Sequence, residues 1–320
     1  MILVVCLNPA LDVTHQVPEV DWAGVNRATA VFARPGGKGT NVARNLHSFG
    51  LPVLLMGLAG GTTGGAVETG LRELAVPTAF TPVAGETRRT FTVVDGRGQA
   101  ALFNEPGPEV SAAEFARFRA ALTAVLPGAE ALVLSGSLPR GLPAGSYAAL
   151  IELAAAAGVP AVLDTYGDAL RRGIAAGPAI VKPNLAELEE LTGQALTEAG
   201  SGVDLAAVRA AAGRLRADGA EAVAVSLGAA GLLAVTEDGC WQARPPAVRA
   251  GNATGAGDAV TAALVHGLVL GRPWDDRLRH AAALGAATVA APVAGEYSPA
   301  DYNAALAGVT VNREDARSCR

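Results

Sequence analysis

Lysine is almost missing from this sequence. Of its 25 basic residues only Lys38 and Lys182 are lysines, so arginine fills nearly every basic position. Both lie in turn-forming surroundings, Pro35-Gly-Gly-Lys-Gly39 and Lys182-Pro183-Asn184. They are either survivors of a compositional bias or positions where a compact ammonium is wanted. Cysteine is scarce too. Cys6, Cys240 and Cys319 are odd in number and far apart, and with four scattered histidines they match no zinc-ligand spacing. Neither a disulfide framework nor a structural zinc is expected. Excess positive charge is also lacking: the net charge is -5, which disfavours a non-specific grip on nucleic acid or anionic lipid. No run approaches the ~18 uncharged apolar residues of a membrane span. The apolar opening at 2–7 is short, has no basic flank and ends at Asn8-Pro9, unlike a signal peptide. A cytoplasmic protein without nucleic-acid or membrane partners is expected.

Apolar residues make up 50% of the 320 and charged ones only 17%, so a large buried core is available. Gly 39 and Pro 19 imply many tight turns. Short runs at 2–7, 53–56, 131–134, 161–163, 179–181 and 222–225 are apolar throughout, as strands buried on both faces would be. Helical patterns separate them at 40–48, 66–74, 111–125, 144–157 and 205–217, the third opening with a Ser111-x-x-Glu114 capping box. Strand then helix, repeated, predicts a three-layer α/β/α fold with a mainly parallel central sheet. Four short strand patterns at 11–17, 28–33, 90–94 and 99–103 have no helices of their own, and Asp95-Gly-Arg-Gly98 marks a hairpin between the last two. They predict a small antiparallel β lid inserted in two pieces, 11–34 and 87–104, or else ordinary edge hairpins. After Gly239 the pattern turns helical at 255–270, 276–291 and 299–306, and 311–320 reads as a polar tail. One domain over 1–310 follows.

Asn252-Ala-Thr-Gly-Ala-Gly-Asp258 stands ahead of an alanine-rich helix. Gly255 and Gly257 let backbone N–H groups turn toward one point at a helix N-terminus, an anion cradle. Asp258 would repel an anion there unless it takes a proton from an attacking hydroxyl; its other reading is a helix cap. In Arg34-Pro-Gly-Gly-Lys-Gly-Thr-Asn41 the glycines allow close backbone approach, and Lys38 and Asn41 can donate hydrogen bonds to sugar or phosphate. The spacing is not that of a Walker A loop. Asn184-x-x-Glu187 is either a capping pair or two side chains holding waters around Mg²⁺ at a strand's carboxyl end. Ser226-Leu-Gly-Ala-Ala-Gly231 suits a nucleotide wrap or a plain turn, and Ser135-Gly-Ser-Leu-Pro139 places a hydroxyl at a strand tip. No Gly-x-Ser-x-Gly elbow is present, which argues against serine hydrolase chemistry.

In this order and spacing the segments, with Leu7-Asn-Pro-Ala-Leu-Asp12, resemble the PfkB carbohydrate kinase family and its ribokinase-like fold. Asn26-Arg-Ala28, Thr87-Arg88 and Glu105-Pro-Gly-Pro108 are similar to the branch acting on phosphorylated ketohexoses. The resemblance implies that Asp12 and Asn41 hold sugar hydroxyls, and that Arg27, Arg88, Gly37, Lys38 and Ser137 meet the substrate and its phosphate. It implies Asp258 as base, with Gly255, Ala256 and Gly257 donating N–H groups to the transferred phosphoryl. Lys182, Asn184, Ser226, Gly228 and Gly231 would contact ATP, and Asn184 and Glu187 its Mg²⁺ through water. The implied reaction is transfer of the γ-phosphoryl of ATP to O6 of fructose 1-phosphate, giving fructose 1,6-bisphosphate, in a homodimer joined through the lid. Alternatives are a tagatose-6-phosphate kinase or 6-phosphofructokinase of the same family, and a non-catalytic sugar-phosphate sensor.

Overall fold

The computed structural model describes residues 1–197, 202–248, 253–291, 293 and 295–314. It opens with β1 (Ile2–Cys6), buried along its whole length as a strand apolar on both faces requires. Next come β2 (Ala10–Gln16), β3 (Ala30–Gly36), α1 (Lys38–Ser48), β4 (Val53–Ala59), α2 (Gly61–Glu73) and β5 (Thr78–Pro82). A hairpin of β6 (Arg88–Val94) and β7 (Ala100–Asn104) precedes α3 (Ala112–Val125), β8 (Ala131–Ser135), α4 (Ser146–Ala156) and β9 (Ala161–Asp164). The alternation continues through α5 (Gly167–Ile174), β10 (Ile180–Val181), α6 (Leu185–Thr192), α7 (Leu205–Ala217) and β11 (Val223–Ser226). The described chain closes with β12 (Leu232–Thr236), β13 (Gly239–Arg244), α8 (Ala256–Val269), α9 (Trp274–Ala290), α10 (Pro299–Gly308) and β14 (Thr310–Glu314). Each of the six buried strands expected from the sequence is present.

The main sheet has the order β14-β13-β12-β11-β10-β9-β8-β1-β4-β5. From β11 to β5 every pairing is parallel; the three pairings from β11 outward to β14 are antiparallel. Side chains alternate between the faces. Leu3 and Val5 enter an apolar cluster with Phe118, Tyr147 and Leu188, while Ile2, Val4 and Cys6 enter another with Val42, Leu264 and Leu284. Helices thus cover both faces, giving three layers. In a parallel sheet the carboxyl ends of the strands share one edge, and α1 and α8 begin there.

The lid is a second sheet in the order β3-β2-β6-β7. Its two outer pairings are antiparallel, as expected, but its central seam of β2 with β6 runs parallel, from Ala10 opposite Arg88 to Gln16 opposite Val94. The reason is topological: both pieces leave the same carboxyl edge of the main sheet, one after β1 and one after β5.

Two expectations need correction. The chain after Gly239 is not purely helical, and residues 311–314 are not tail: β14 pairs with β13, Val311 opposite Ala243, and extends the sheet. A polar edge strand carries no apolar alternation, so pattern alone passes over it. Residues 315–320 and Asn252 lie outside the described residues. Cys6 is a buried free thiol. The Ser111–Glu114 capping box is formed, and the Ser111 and Ala84 donors hold the Glu114 carboxyl down to about 2. Among the described residues no helix is long and apolar enough to cross a membrane.

Candidate active site

Two helix N-termini meet at the carboxyl edge of the sheet. The residue before α1 is Gly37, with φ of 94°, and that before α8 is Gly255, with φ of 85°, values at which any side chain would be strained. No side chain caps either helix, so their first-turn amides remain open to an anion. Close packing seats α1: a Cβ on Gly39 would lie 2.7 Å from Cys6 Cβ and 3.0 Å from the Ser135 and Val5 carbonyl oxygens. Asn41 Nδ2 then donates to Asp258 Oδ2 at 2.8 Å, joining the two helices.

A buried charge cluster lies beside this junction. Asp164, the last residue of β9, is 0% exposed, and its Oδ1 receives Lys38 Nζ at 3.3 Å and Lys182 Nζ at 3.5 Å. Both lysines of the chain therefore converge on one carboxylate oxygen. Thr261 Oγ1 donates to Asp164 Oδ2 at 2.8 Å. Lys38 also reaches Glu187 Oε1 at 3.2 Å. Burial works against the Lys38 charge, but Asp164 and Glu187 outweigh it and raise its proton affinity. Burial likewise opposes ionisation of Asp164, yet Lys182, Lys38 and Thr261 hold its carboxyl below the ordinary value. Asp258, 6% exposed, is the opposite case. Burial first, and then the negative charge of Asp164, push it up to about 7 against the pull of Asn41 and the two lysines.

Asp164 and Thr261 were absent from the sequence expectation. The only signal was an acid closing a buried strand, Leu163-Asp164-Thr165. Lys38, expected beside the phosphate-binding arginines, sends its ammonium to Asp164 and Glu187 instead, because two poorly solvated carboxylates attract it. Lys182 closely approaches the Gly255–Gly257 turn: a Cβ on Gly257 would stand 3.7 Å from its Nζ.

Asn184 and Glu187 form the reciprocal capping box of α6, Asn184 Oδ1 accepting from the Glu187 amide and Glu187 Oε2 from the Asn184 amide, each at 2.8 Å. The structural reading of this pair thus holds. Each of its oxygens accepts one hydrogen bond, from an amide or from Lys38, and keeps a lone pair for water, while among the described residues no group of three or more His, Cys, Asp or Glu could enclose a metal. A divalent ion held chiefly by a nucleotide's phosphates and water, with Glu187 reached through water, fits such a donor set. Ser226 bridges alongside Asn184, and Gly228–Ala230 forms a 3₁₀ turn closed by Gly231. These residues share one rim.

A second group faces the lid. Asp12 on β2 lies near Arg34, Arg88 and Arg44; burial still raises its carboxyl above the ordinary value, against those arginines and a Thr90 hydrogen bond. Its room comes from Gly36, where a Cβ would fall 2.0 Å from Asp12 Oδ2. Arg88 Nε donates to the Asn8 carbonyl at 3.2 Å, and Asn8 Nδ2 to Ser137 Oγ at 3.1 Å, so Arg88 and Ser137 are neighbours through Asn8. Arg27 is not brought to this group; it is exposed on the 17–29 segment between β2 and β3.

Uncapped amides, two lysines and a carboxylate poised to take a proton can together neutralise a transferring phosphoryl and activate a hydroxyl. A family model for pfkB family carbohydrate kinases matches residues 1–301. The chain belongs to that family. Like its other members, this pfkB kinase is a phosphotransferase with an alcohol acceptor. It is similar to the tetrameric inhibited form of phosphofructokinase-2 from Escherichia coli, with 32% identity over 96% of this chain and 98% of that one and a TM-score of 0.88. The same Escherichia coli enzyme in complex with fructose-6-phosphate matches at 31% identity over 96% and 98%, TM-score 0.86. A Thermotoga maritima protein described as a possible 1-phosphofructokinase is 25% identical over 98% and 99%, with a TM-score of 0.84.

Proposed function

We propose that this kinase moves the γ-phosphoryl of ATP to O6 of fructose 1-phosphate in the cytoplasm, giving fructose 1,6-bisphosphate. The observation that carries the reading is Asp258, buried at an uncapped helix N-terminus with its proton affinity raised to about 7. In this reading Asn41 holds one Asp258 oxygen and leaves the other to take the acceptor's proton. The amides of Gly255, Ala256 and Gly257, with Lys182 beside them, receive the charge that spreads over the phosphoryl oxygens. Ser226, Gly228 and Gly231 contact the nucleotide. Glu187 and Asn184 would hold Mg²⁺ through water, an ion that neutralises phosphate charge when bound. Asp12 orients a sugar hydroxyl from the lid, and Arg88 and Ser137 take the sugar's own phosphate, for which a planar guanidinium is suited. Gly37 allows backbone approach, and Lys38 acts from beside Glu187. Arg27 would join only by movement of its segment or from a second subunit.

A second reading, fructose 6-phosphate with O1 as acceptor, is favoured by the greater identity to the Escherichia coli enzyme. Coupled ADP release with fructose 1-phosphate, fructose 6-phosphate, tagatose 6-phosphate and free fructose separates these. Arg88→Ala is expected to raise KM for the phosphorylated sugar about 10-fold or more, as loss of a charge-assisted contact does, and to leave KM for ATP unchanged. Preference of the wild type for free fructose would refute the phosphate pocket.

We also propose a homodimer joined through the lid. Val31 and Phe32 on β3, Leu102 and Phe103 on β7, and Trp22 and Val25 between β2 and β3 are exposed apolar side chains, all carried by the lid. Light scattering should give twice the chain mass for the wild type and the single mass for Phe32→Asp. A monomeric wild type would end this assignment.

A further inference from the structure

We infer that Thr261 is a positioning residue whose hydroxyl locks the Asp164 carboxylate, so that one oxygen, Oδ1, holds both lysines beside the start of α8. The inference rests on the reading of this cluster as a phosphoryl-transfer site. Thr261 is fully buried within α8, three residues beyond Asp258. A threonine inside a helix ordinarily returns its hydroxyl proton to the carbonyl four residues earlier, here Gly257. That carbonyl lies 3.1 Å from Oγ1, but Asp164 Oδ2 is nearer, at 2.8 Å, and is charged. One proton serves one strong bond, and the carboxylate takes it.

The consequence reaches the lysines. Oδ2 has this hydroxyl as its donor, while Oδ1 accepts the Lys38 hydrogen bond and pairs with Lys182. Asp164 is wholly buried, so bulk water has no access to replace a lost donor. Without the hydroxyl, the carboxylate turns to share its lysines between both oxygens. Lys38 is tied at its other side to Glu187, and Lys182 faces the Gly257 turn, so that rotation displaces both ammonium groups relative to the amide cradle. Thr261 also joins the tip of β9 to the helix that carries Asp258.

The near absence of lysine supplies the probe. Protein labelled with ¹³C at lysine Cε has two signals, assigned with Lys38→Arg. Thr261→Val keeps the volume and removes the hydroxyl. It is expected to move both lysine signals and to lower kcat ~10-fold with KM for the sugar phosphate nearly unchanged, since small misplacements of charged groups act on the transition state. Thr261→Ser should restore the signals and kcat. Lysine signals that stay in place in the valine variant would overturn the inference, whatever kcat does, and so would a serine variant shifted as far as valine. Should the valine variant not fold, Thr261→Ala gives the same comparison. Absence of turnover on every ketohexose phosphate would refute the functional reading alone, because the lysine signals are read without substrate.

Discussion

Asp258→Asn is expected to lower turnover by about 10²-fold or more while KM for the sugar phosphate changes little, the scale of a lost general base. Asparagine keeps the size of the side chain and an oxygen for Asn41 Nδ2, so the junction of α1 and α8 should persist. Only the ability to take a proton is lost. The pH dependence carries the same signature. Burial and the neighbouring Asp164 favour the protonated form of Asp258 and place its titration near 7, so the active carboxylate predominates above that pH. The wild-type kcat/KM should therefore fall about tenfold per unit as pH drops below roughly 7, and this limb should vanish from whatever activity Asp258→Asn retains. Near-normal turnover in the variant, or an acid limb that survives in it, would remove Asp258 from the mechanism.

Asp164→Leu should abolish most turnover and cost about 3–5 kcal/mol of stability in urea unfolding, because a buried cation loses its counterion. Lys182 is the group at risk: its side chain is 3% exposed and pairs with Asp164 at 3.5 Å. Lys38 keeps Glu187 and is less exposed to the loss. Adding Lys182→Met to Asp164→Leu should recover part of the stability without recovering turnover, since the orphaned charge disappears but the site does not return. A single variant as stable as the wild type would show that water or rearrangement solvates Lys182. A double variant less stable than either single would show that the ion pair itself is not the source of the loss.

Much of the scaffold was legible in local pattern. Strands apolar on both faces and the Ser111–Glu114 box lie within short windows, where periodicity and capping chemistry act. Gly37 and Gly255, each ahead of a helix, marked the two N-termini that meet. The strands β12 to β14 went unread because a short hairpin and a polar edge strand depend on the neighbour they pair with. The parallel seam of the lid had no local mark either. It follows from where two separate insertions leave the main sheet.

The amino-acid order by itself determined that a parallel sheet would form and that Gly255 and Gly257 would open an amide cradle at a helix start with Asp258 beside it. Tertiary structure alone decided that both lysines meet on Asp164, 126 residues from Lys38, and that Thr261 closes the other side of that carboxylate. The physical reason is that propensity and periodicity act between near neighbours in the chain, whereas burial, and with it the raised proton affinity of Asp258 and the lowered one of Asp164, exists only once distant strands have been stacked.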